Sequence, residues 1–452
     1  MARVRPLSGF PEWLPAGRAV EAHVIGTLTR VFELHSFSGI ETRAVEPLGQ
    51  LLRKGETSKE VYVLRRLQDT DQTGYDDTTL GLHFDLTVPL ARYVLENAGQ
   101  LDFPFKRYQI QKVWRGERPQ EGRFREFIQA DIDVIGQGTL PFHYEVELPL
   151  VMAEALSGLG VGAFTVLVNN RKVAEGFYRG LGLADVDEVL RWIDKLDKAG
   201  PDAVREGLLA GGATGDQASA CLELAGIAGE DAGSVTAAVR ALAERYGAGN
   251  ELLDQGLGEL AALLAAAAAR VPGTVRADLK IARGLDYYTG SVYETVWRGH
   301  ESLGSICSGG RYDSLASDGS QTYPGVGLSI GVSRLVSRII AEGLLAPSRT
   351  VPACVVVAVD TEDERAASDA VAARLRARGI PTDVAPTAAK YGKQIKYADK
   401  RGVPYVWFLG ADGAPDQVKD IRTGEQVEAS ADVWTPPPAD LSVSVGPGGL
   451  GQ

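Results

Sequence analysis

Residues 105–135 read FKRYQIQKVWRGERPQEGRFREFIQADIDVI, two strand-forming runs separated by a polar loop that holds Pro119 and Gly122. A chain built this way is committed to a long antiparallel hairpin with a charged tip, from Phe105 to Arg115 and back from Arg125 to Ile135. On the second arm Gln129, Asp131 and Asp133 recur at every second residue, so their side chains leave one face together. Three polar groups on one face of a strand otherwise built for a core mark either a solvent edge or a site. Around the loop, Arg115, Arg118, Arg123 and Arg125 stand against Glu117, Glu121 and Glu126, and residues 102–126 hold seven basic and four acidic side chains. Guanidinium groups bind phosphate oxygens bidentately, so the tip is a candidate phosphate clamp. A solvated tip laced with ion pairs fits the spacing equally well.

Elsewhere the pattern of apolar positions divides the chain. Helical spacing runs from Ala19 to Leu34 and from Val88 to Asn97; short apolar runs at VYVLRRL and LGLHFDL read as strands. From Leu181 to Arg270 the composition shifts to Ala, Gly, Leu, Asp and Glu with helical periodicity, as in an inserted helical subdomain. Strand character returns at LKIARGLDYYTGSVYETV. Ser308 to Asp313 (SGGRYD) reads most simply as a tight turn; GVGLSIGVSRLVSRII, from Gly325, reads as strand into helix, and its opening Gly325-Val326-Gly327, which lacks the third glycine of a dinucleotide fold, is more cheaply a helix turn than a nucleotide loop. Residues 343–351 have linker composition. Beyond them, strand and helix alternate as β-α-β-α-β, the signature of a small α/β domain with a mostly parallel sheet. The Pro- and Gly-rich residues 436–452 read as a disordered tail.

Composition and missing motifs narrow the function. The 452 residues carry a net charge of −12, which argues against an indiscriminate nucleic-acid binder. Three cysteines without C-x-x-C spacing and five scattered histidines suit neither a zinc site nor a disulfide framework, and no metal site is expected. That usage fits a reducing cytoplasm. The longest apolar run, Leu260 to Ala269, is too short to span a bilayer, so no membrane partner is expected. The Walker loop, H-E-x-x-H and G-x-S-x-G are all missing.

Five ordered blocks then carry a resemblance: DLTVPLARYV at Asp85, VWRGERPQEGRFREFIQADID at Val113, RGLDYY at Arg283, GGRYD at Gly309 and GVGLSIGVSRL at Gly325. Over residues 1–435 the chain resembles the histidyl-tRNA synthetases, class II aminoacyl-tRNA synthetases. The hairpin resembles class II motif 2, the last block motif 3, and the DLT and DID forms resemble the eukaryotic branch. The resemblance implies an α+β catalytic domain, with an antiparallel sheet and flanking helices, over 1–180 and 271–342. A helical insertion would occupy 181–270, a linker 343–351, and an α/β anticodon-binding domain 352–435.

It also implies a homodimer that activates L-histidine with ATP, Mg2+ riding on the nucleotide, and passes the histidine to tRNA-His. By this match Arg115 and Arg283 hold the α-phosphate from opposite sides and contact the histidine. Arg123 reaches the outer phosphates, and Arg334 holds the bent γ-phosphate and adenine. Asp85, Thr87 and Gln129 take the ammonium and carbonyl ends of histidine; Asp133 and Tyr288 meet the imidazole nitrogens, with Tyr287 beside them. Gln120 sits where the family meets the acceptor end. Residues 372–401 hold eight basic and two acidic groups, and Lys390, Lys393, Lys396, Lys400 and Arg401 make a candidate anticodon-side surface. Three positions depart from the family pattern: Arg43 for a proline, His83-Phe84 for Arg-Tyr, and Ser333 for a glutamate. Two alternatives stand beside the enzyme. A non-enzymatic paralogue would lack the C-terminal domain and the arginines, which this chain keeps; a relative that charges another carrier would keep both.

Overall fold

The computed structural model describes residues 5–52, 60–68, 74, 79–282, 284, 287–317, 319–411 and 413–448. The chain packs as two units, residues 1–11 with 24–338 and residues 12–23 with 339–452. The first helix, α1, is Pro15–Leu34.

The first unit is built on a nine-stranded sheet. Its strands are β1 (Ser38–Gly39), β2 (Phe105–Trp114), β3 (Glu126–Ile135), β4 (Phe164–Asn170), β5 (Ala228–Gly229), β6 (Val275–Asp278), β7 (Tyr288–Trp297), β8 (Cys307–Tyr312) and β9 (Gly325–Gly331). Their order is β1-β2-β3-β9-β8-β7-β4-β6-β5. All neighbours are antiparallel except β1 beside β2 and β4 beside β6, so the sheet is mixed rather than purely antiparallel. The hairpin β2–β3 pairs without a break from Phe105↔Ile135 to Trp114↔Glu126. Val113, Ala130, Ile132 and Val134 are completely buried on it, as alternation demands.

Helices α2 (Thr87–Asn97) and α3 (His143–Ser157) flank the sheet. After α4 (Arg171–Gly180) come α5 (Val186–Ile193), α6 (Leu196–Ala210), α7 (Gly215–Ala225), α8 (Ala232–Tyr246) and α9 (Glu251–Arg270). Each start is written in the sequence where a short polar side chain caps it: Asp185, Thr214, Asp231 and Asn250 accept backbone N–H groups, Thr214 in a reciprocal box with Gln217. Among the described residues α9 alone is long and apolar enough to cross a membrane by length and composition. Leu253, Leu257, Leu260, Leu263 and Leu264 are buried on it, and its Glu259 pairs with Lys172 of α4 at 2.5 Å. Helix α10 (Val332–Ala341) follows β9 directly.

Both glycine pairs lie in strands, which corrects the turn readings and agrees with the strand-into-helix reading of the passage from Gly325. Gly309 and Gly310 are in β8, Gly325 and Gly327 in β9, and the two strands pair Gly310↔Gly327. Glycine has weak strand propensity of its own, so this placement comes from what packs across it.

The second unit carries β10 (Val355–Val357), β11 (Thr382–Val384), β12 (Tyr405–Phe408), β13 (Gln417–Asp420) and β14 (Gln426–Glu428), in the order β11-β10-β12-β13-β14. β10 is parallel to both its neighbours, connected through α11 (Arg365–Ala377) and α12 (Tyr391–Asp399); β13 and β14 add an antiparallel edge. Residues 436–448, expected to lack order, instead form a 3-10 turn at Pro438–Asp440 and a strand at Val445–Pro447 that pairs with Leu345–Pro347. Tyr405 donates its hydroxyl to Asp440 at 2.8 Å, and Arg422 binds the same carboxylate. Proline cannot donate to a sheet interior, but it is tolerated on a two-stranded ribbon with free edges.

Candidate active site

A cleft of about 330 Å³ opens on the face of the sheet where β3, β8 and β9 meet the hairpin loop. Arg115, Glu117, Arg123 and Arg334 line it, with Phe127 on its floor. Arg115 is held before any ligand arrives. Its Nε donates to the Phe84 carbonyl (2.9 Å), its Nη2 to Gln129 Oε1 (3.1 Å), and its guanidinium sits over the Phe127 ring at 5.1 Å. Arg123 and Arg115 both face Glu117, at 3.6 and 3.8 Å. Arg334 clips the rim, donating from Nε to Gly122 O at 2.8 Å and from Nη1 to Ser305 O at 2.5 Å. Gly122 turns through φ +67°, and a Cβ there would stand 3.2 Å from Arg334 Cγ, so this loop residue has two reasons to be glycine. Gln120 stands at the tip and is bridged to Arg123 by paired backbone hydrogen bonds of 3.0 and 3.2 Å.

Beyond the cleft, and sharing Ser308 and Ser329 with it, lies a narrower recess lined by Thr87, Asp131, Asp133, Tyr287, Tyr288 and Tyr312. Asp133 accepts from Tyr312 Oη at 2.7 Å and meets Arg107 Nη2 at 2.6 Å. Asp131 accepts from Ser329 Oγ at 2.5 Å and from Gln129 Nε2 at 3.1 Å; its other oxygen is 4.0 Å from Arg107. Burial, opposed by Arg107 and reinforced by Asp133, pushes the Asp131 carboxyl up to about 6. Tyr288 and Tyr312 are driven well above ordinary phenol values by burial, so both hydroxyls remain donors. Rings 287 and 288 stand 4.2 Å apart at 45°. Gly327 faces Asp133 across β9–β3, and a Cβ on it would lie 1.9 Å from Asp133 Oδ1. The glycine is the space that this carboxylate occupies.

The structure therefore brings Arg115, Arg123 and Arg334 to one cleft, and Thr87, Asp133, Tyr287 and Tyr288 to the adjoining recess. Gln129 lines the cleft and reaches the recess through Asp131. Asp85 holds the first turn of α2, accepting from Val88 N at 3.1 Å. Arg283 lies outside the described residues. Arg107, Tyr312, Ser308 and Ser329 were not singled out from the sequence, and Asp131 was noted only for its spacing. Of these, Tyr312 carried a signal in the GGRYD block; Arg107, counted only among the basic residues of 102–126, did not.

The three departures from the family pattern are filled locally. His83 is buried, meets the Lys112 carbonyl at 2.7 Å and stacks near Trp114, and desolvation lowers its pKa. Ser333 accepts Ile128 N at 2.9 Å, tying the start of α10 to β3. Arg43 pairs with Glu46 at 3.1 Å. No group of three or more metal-ligating side chains occurs among the described residues.

In the second unit the basic run divides by role. Arg374 pairs with Asp432, Arg376 donates to Thr382 O, and Arg378 donates to the carbonyls of Ala431, Val433 and Trp434. Arg401, expected on an open basic surface, is half-buried, pairs with Asp383 at 3.1 Å and stacks on Tyr397 at 4.4 Å. Lys390, Lys393, Lys396 and Lys400 are exposed along α12.

Residues 9–335 match the family described as "Histidyl-tRNA synthetase", and residues 353–433 the family described as "Anticodon binding domain". The chain is 58% identical to "Histidine--tRNA ligase" of Cutibacterium acnes over 98% of its length and 99% of that protein's. It is 60% identical to the protein of that name from Bifidobacterium longum subsp. infantis, over 96% and 98%. Among solved structures, histidyl-tRNA synthetase from Nostoc sp. PCC 7120 superposes with a TM-score of 0.83 at 36% identity, covering 96% of this chain and 98% of that one. These full-length relatives are bacterial, so the eukaryote-like placement drawn from the DLT and DID forms does not hold. A few exchanges of carboxylate and neighbouring residues weigh far less than identity along the whole chain. With a catalytic region and an anticodon-binding domain both matched, the chain belongs to the histidyl-tRNA synthetase family.

Proposed function

We propose that this protein joins L-histidine to tRNA-His in two steps, first with ATP to give histidyl-adenylate and pyrophosphate, then by transfer to the terminal adenosine of the tRNA. The observation that carries the reading is the adjacency of two chemically distinct cavities. An arginine-lined cleft suited to phosphates shares Ser308 and Ser329 with a narrow carboxylate- and tyrosine-lined recess whose donors and acceptors suit an imidazole. The amino acid's carboxylate then lies at the junction, facing the α-phosphate.

Attack of the carboxylate on the α-phosphate builds negative charge on the phosphate oxygens and expels pyrophosphate, so catalysis is chiefly positioning and charge stabilisation. Arg115 meets that charge from a guanidinium already oriented by Phe84 and Gln129, and Arg283 is assigned the opposite side. Arg123 and Arg334 hold the outer phosphates and the adenine end. Mg2+ enters on the nucleotide, with Glu117 the carboxylate on the cleft wall. Asp85, Thr87 and Gln129 hold the α-amino end, and in the recess Asp133 and Tyr288 hold the ring. A pocket that hydrogen-bonds a substrate N–H rejects analogues lacking it by about 10⁴–10⁵. Gln120 meets the acceptor stem and the α12 lysines the anticodon side. The catalytic domain spans 1–180 and 271–342, with 181–270 its helical insertion and 343–351 a linker to the anticodon-binding domain at 352–435. The active form is a cytoplasmic homodimer.

Histidine-dependent ATP–pyrophosphate exchange, followed by charging of tRNA-His, tests the reading. Wild type performs both, and Arg115→Ala loses exchange by about 10²–10³-fold, the cost of removing one transition-state donor. Wild-type protein that folds but performs no exchange overturns the assignment.

A further inference from the structure

Strand β7 does not pair evenly with β8. It advances four residues from Tyr288 to Val292 while β8 advances two between their partners, Tyr312 and Gly310, so β7 bulges immediately after Tyr288. Bulges re-aim the side chains beside them, and Tyr288 lines the recess. This bulge is held from outside its own strand. Ser291 N donates to Glu145 Oε2 of α3 at 2.9 Å, and Thr289 Oγ1 donates to Asp313 Oδ2 at 2.5 Å. One side chain joins those two carboxylates. Arg311 donates from Nη1 to Glu145 Oε1 at 2.9 Å and to the Leu140 carbonyl at 3.0 Å, and from Nε to Asp313 Oδ1 at 3.0 Å. Between Thr289 and Ser291, a Cβ on Gly290 would stand 2.8 Å from Arg311 Cδ and 2.9 Å from Glu145 Oε2, so the brace lies against the bulge itself. Glu145 is buried, and its backbone carbonyl accepts the Tyr293 hydroxyl at 2.7 Å, fixing the start of α3 on β7. Burying such charges gives little net stability over apolar packing, so what this brace supplies is geometry.

Arg311 acts at one remove. It alternates along β8 with Gly310 and Tyr312, which stand on the recess side: Tyr312 donates to Asp133, and a Cβ on Gly310 would stand 2.9 Å from Tyr288 Cδ1. We infer that Arg311 is a positioning residue for histidine binding, which through Glu145 and Asp313 fixes the Thr289–Ser291 bulge and so holds Tyr288 over Gly310, within reach of the substrate ring. This rests on histidine being the substrate, and it gives the arginine of the GGRYD block a task. A misplacement of about 1 Å at a substrate contact can cost 10²-fold, so a loosened bulge is felt as lost histidine affinity. The arginine-lined cleft, which takes no residue from the bulge or the brace, keeps its hold on ATP.

The test is histidine-dependent ATP–pyrophosphate exchange by the full-length protein, with each substrate varied in turn. Arg311→Lys keeps a charge beside Glu145 but loses the fork that binds both carboxylates and the Leu140 carbonyl. Its histidine KM should rise about tenfold while its ATP KM stays within about twofold. A smaller folded fraction would instead lower kcat and leave both KM values unchanged. Pairing with Tyr288→Phe identifies the route. In that background Arg311→Lys should add less than about twofold, because the hydroxyl that the bulge aims is already gone. Thr289→Val removes one hydroxyl from the bulge and leaves Arg311 and Glu145 in place, so it decides the matter should Arg311→Lys fail to fold. Its histidine KM should rise about threefold, again with no further rise on top of Tyr288→Phe. In the variants that fold, an unchanged histidine KM, an equal rise in both KM values, a fall in kcat alone, or effects that multiply with Tyr288→Phe overturns the inference while the enzyme assignment stands. Absence of exchange by the wild type sinks the assignment itself.

Discussion

Gly327 shows how far one missing methyl group can matter. Its hydrogen faces Asp133, and Gly327→Ala would put a carbon 1.9 Å from a carboxylate oxygen. The carboxylate must rotate or the strands part, so the histidine KM is expected to rise more than tenfold while the ATP KM is unchanged. Steady-state exchange kinetics with each substrate varied in turn will decide. Asp131 makes a prediction about stability as well. The folded protein holds the Asp131 proton more tightly than an unfolded chain, whose carboxyl titrates near 3.8. Its contribution is therefore most favourable below that pH and is lost as pH rises through about 6. Asp131→Asn, which needs no proton, should gain stability over the wild type at pH 7.5, with the gain vanishing near pH 4. Urea unfolding of both proteins at the two pH values measures it; equal stability at pH 7.5 would contradict the burial argument.

At the scale of elements, legibility depended on whether a segment's own residues or its neighbours decide its shape. The β2–β3 hairpin was readable because alternation and β-branched or aromatic residues set strand and register together. Helices α5 to α9 were readable as a helical block from periodicity. Strand β9 was readable as the first half of a strand-into-helix passage, but β8 was not: its paired glycines read as a turn, because the tight packing across them, where a Cβ on Gly310 would meet the Tyr288 ring, is set by neighbours distant in sequence. Arg107 was hidden for a related reason, since nothing local separates a buried arginine from a solvated one. The basic run of the second unit was legible as charge but not as surface, because four of its eight members anchor the fold through backbone carbonyls and aspartates. Helix α12 is where the expectation now concentrates. Lys393→Glu with Lys396→Glu should raise the KM for tRNA about tenfold and flatten its salt dependence, while exchange without tRNA stays within twofold. A parallel loss of exchange would show that the helix acts on the fold.

Across the whole molecule, a net charge of −12 coexists with four exposed lysines on and flanking one helix and an arginine-lined cleft. Negative charge elsewhere disfavours stray polyanions, so non-cognate RNA should bind weakly and lose that binding steeply with salt. The strand at Val445–Pro447 bears on the molecule in another way. Because it lies against Leu345–Pro347, the segment 345–447, which holds the five-stranded sheet, begins and ends on one shared ribbon. A cut after Thr435 would therefore strip a strand and the Asp440 partner of Tyr405 and Arg422, not a loose end. Differential scanning calorimetry of such a truncation should show an earlier transition than full-length protein. Neighbouring ends also make the segment 345–447 a candidate for circular permutation: closing them with a short linker and opening a surface loop would relocate its ends without breaking the five-stranded sheet.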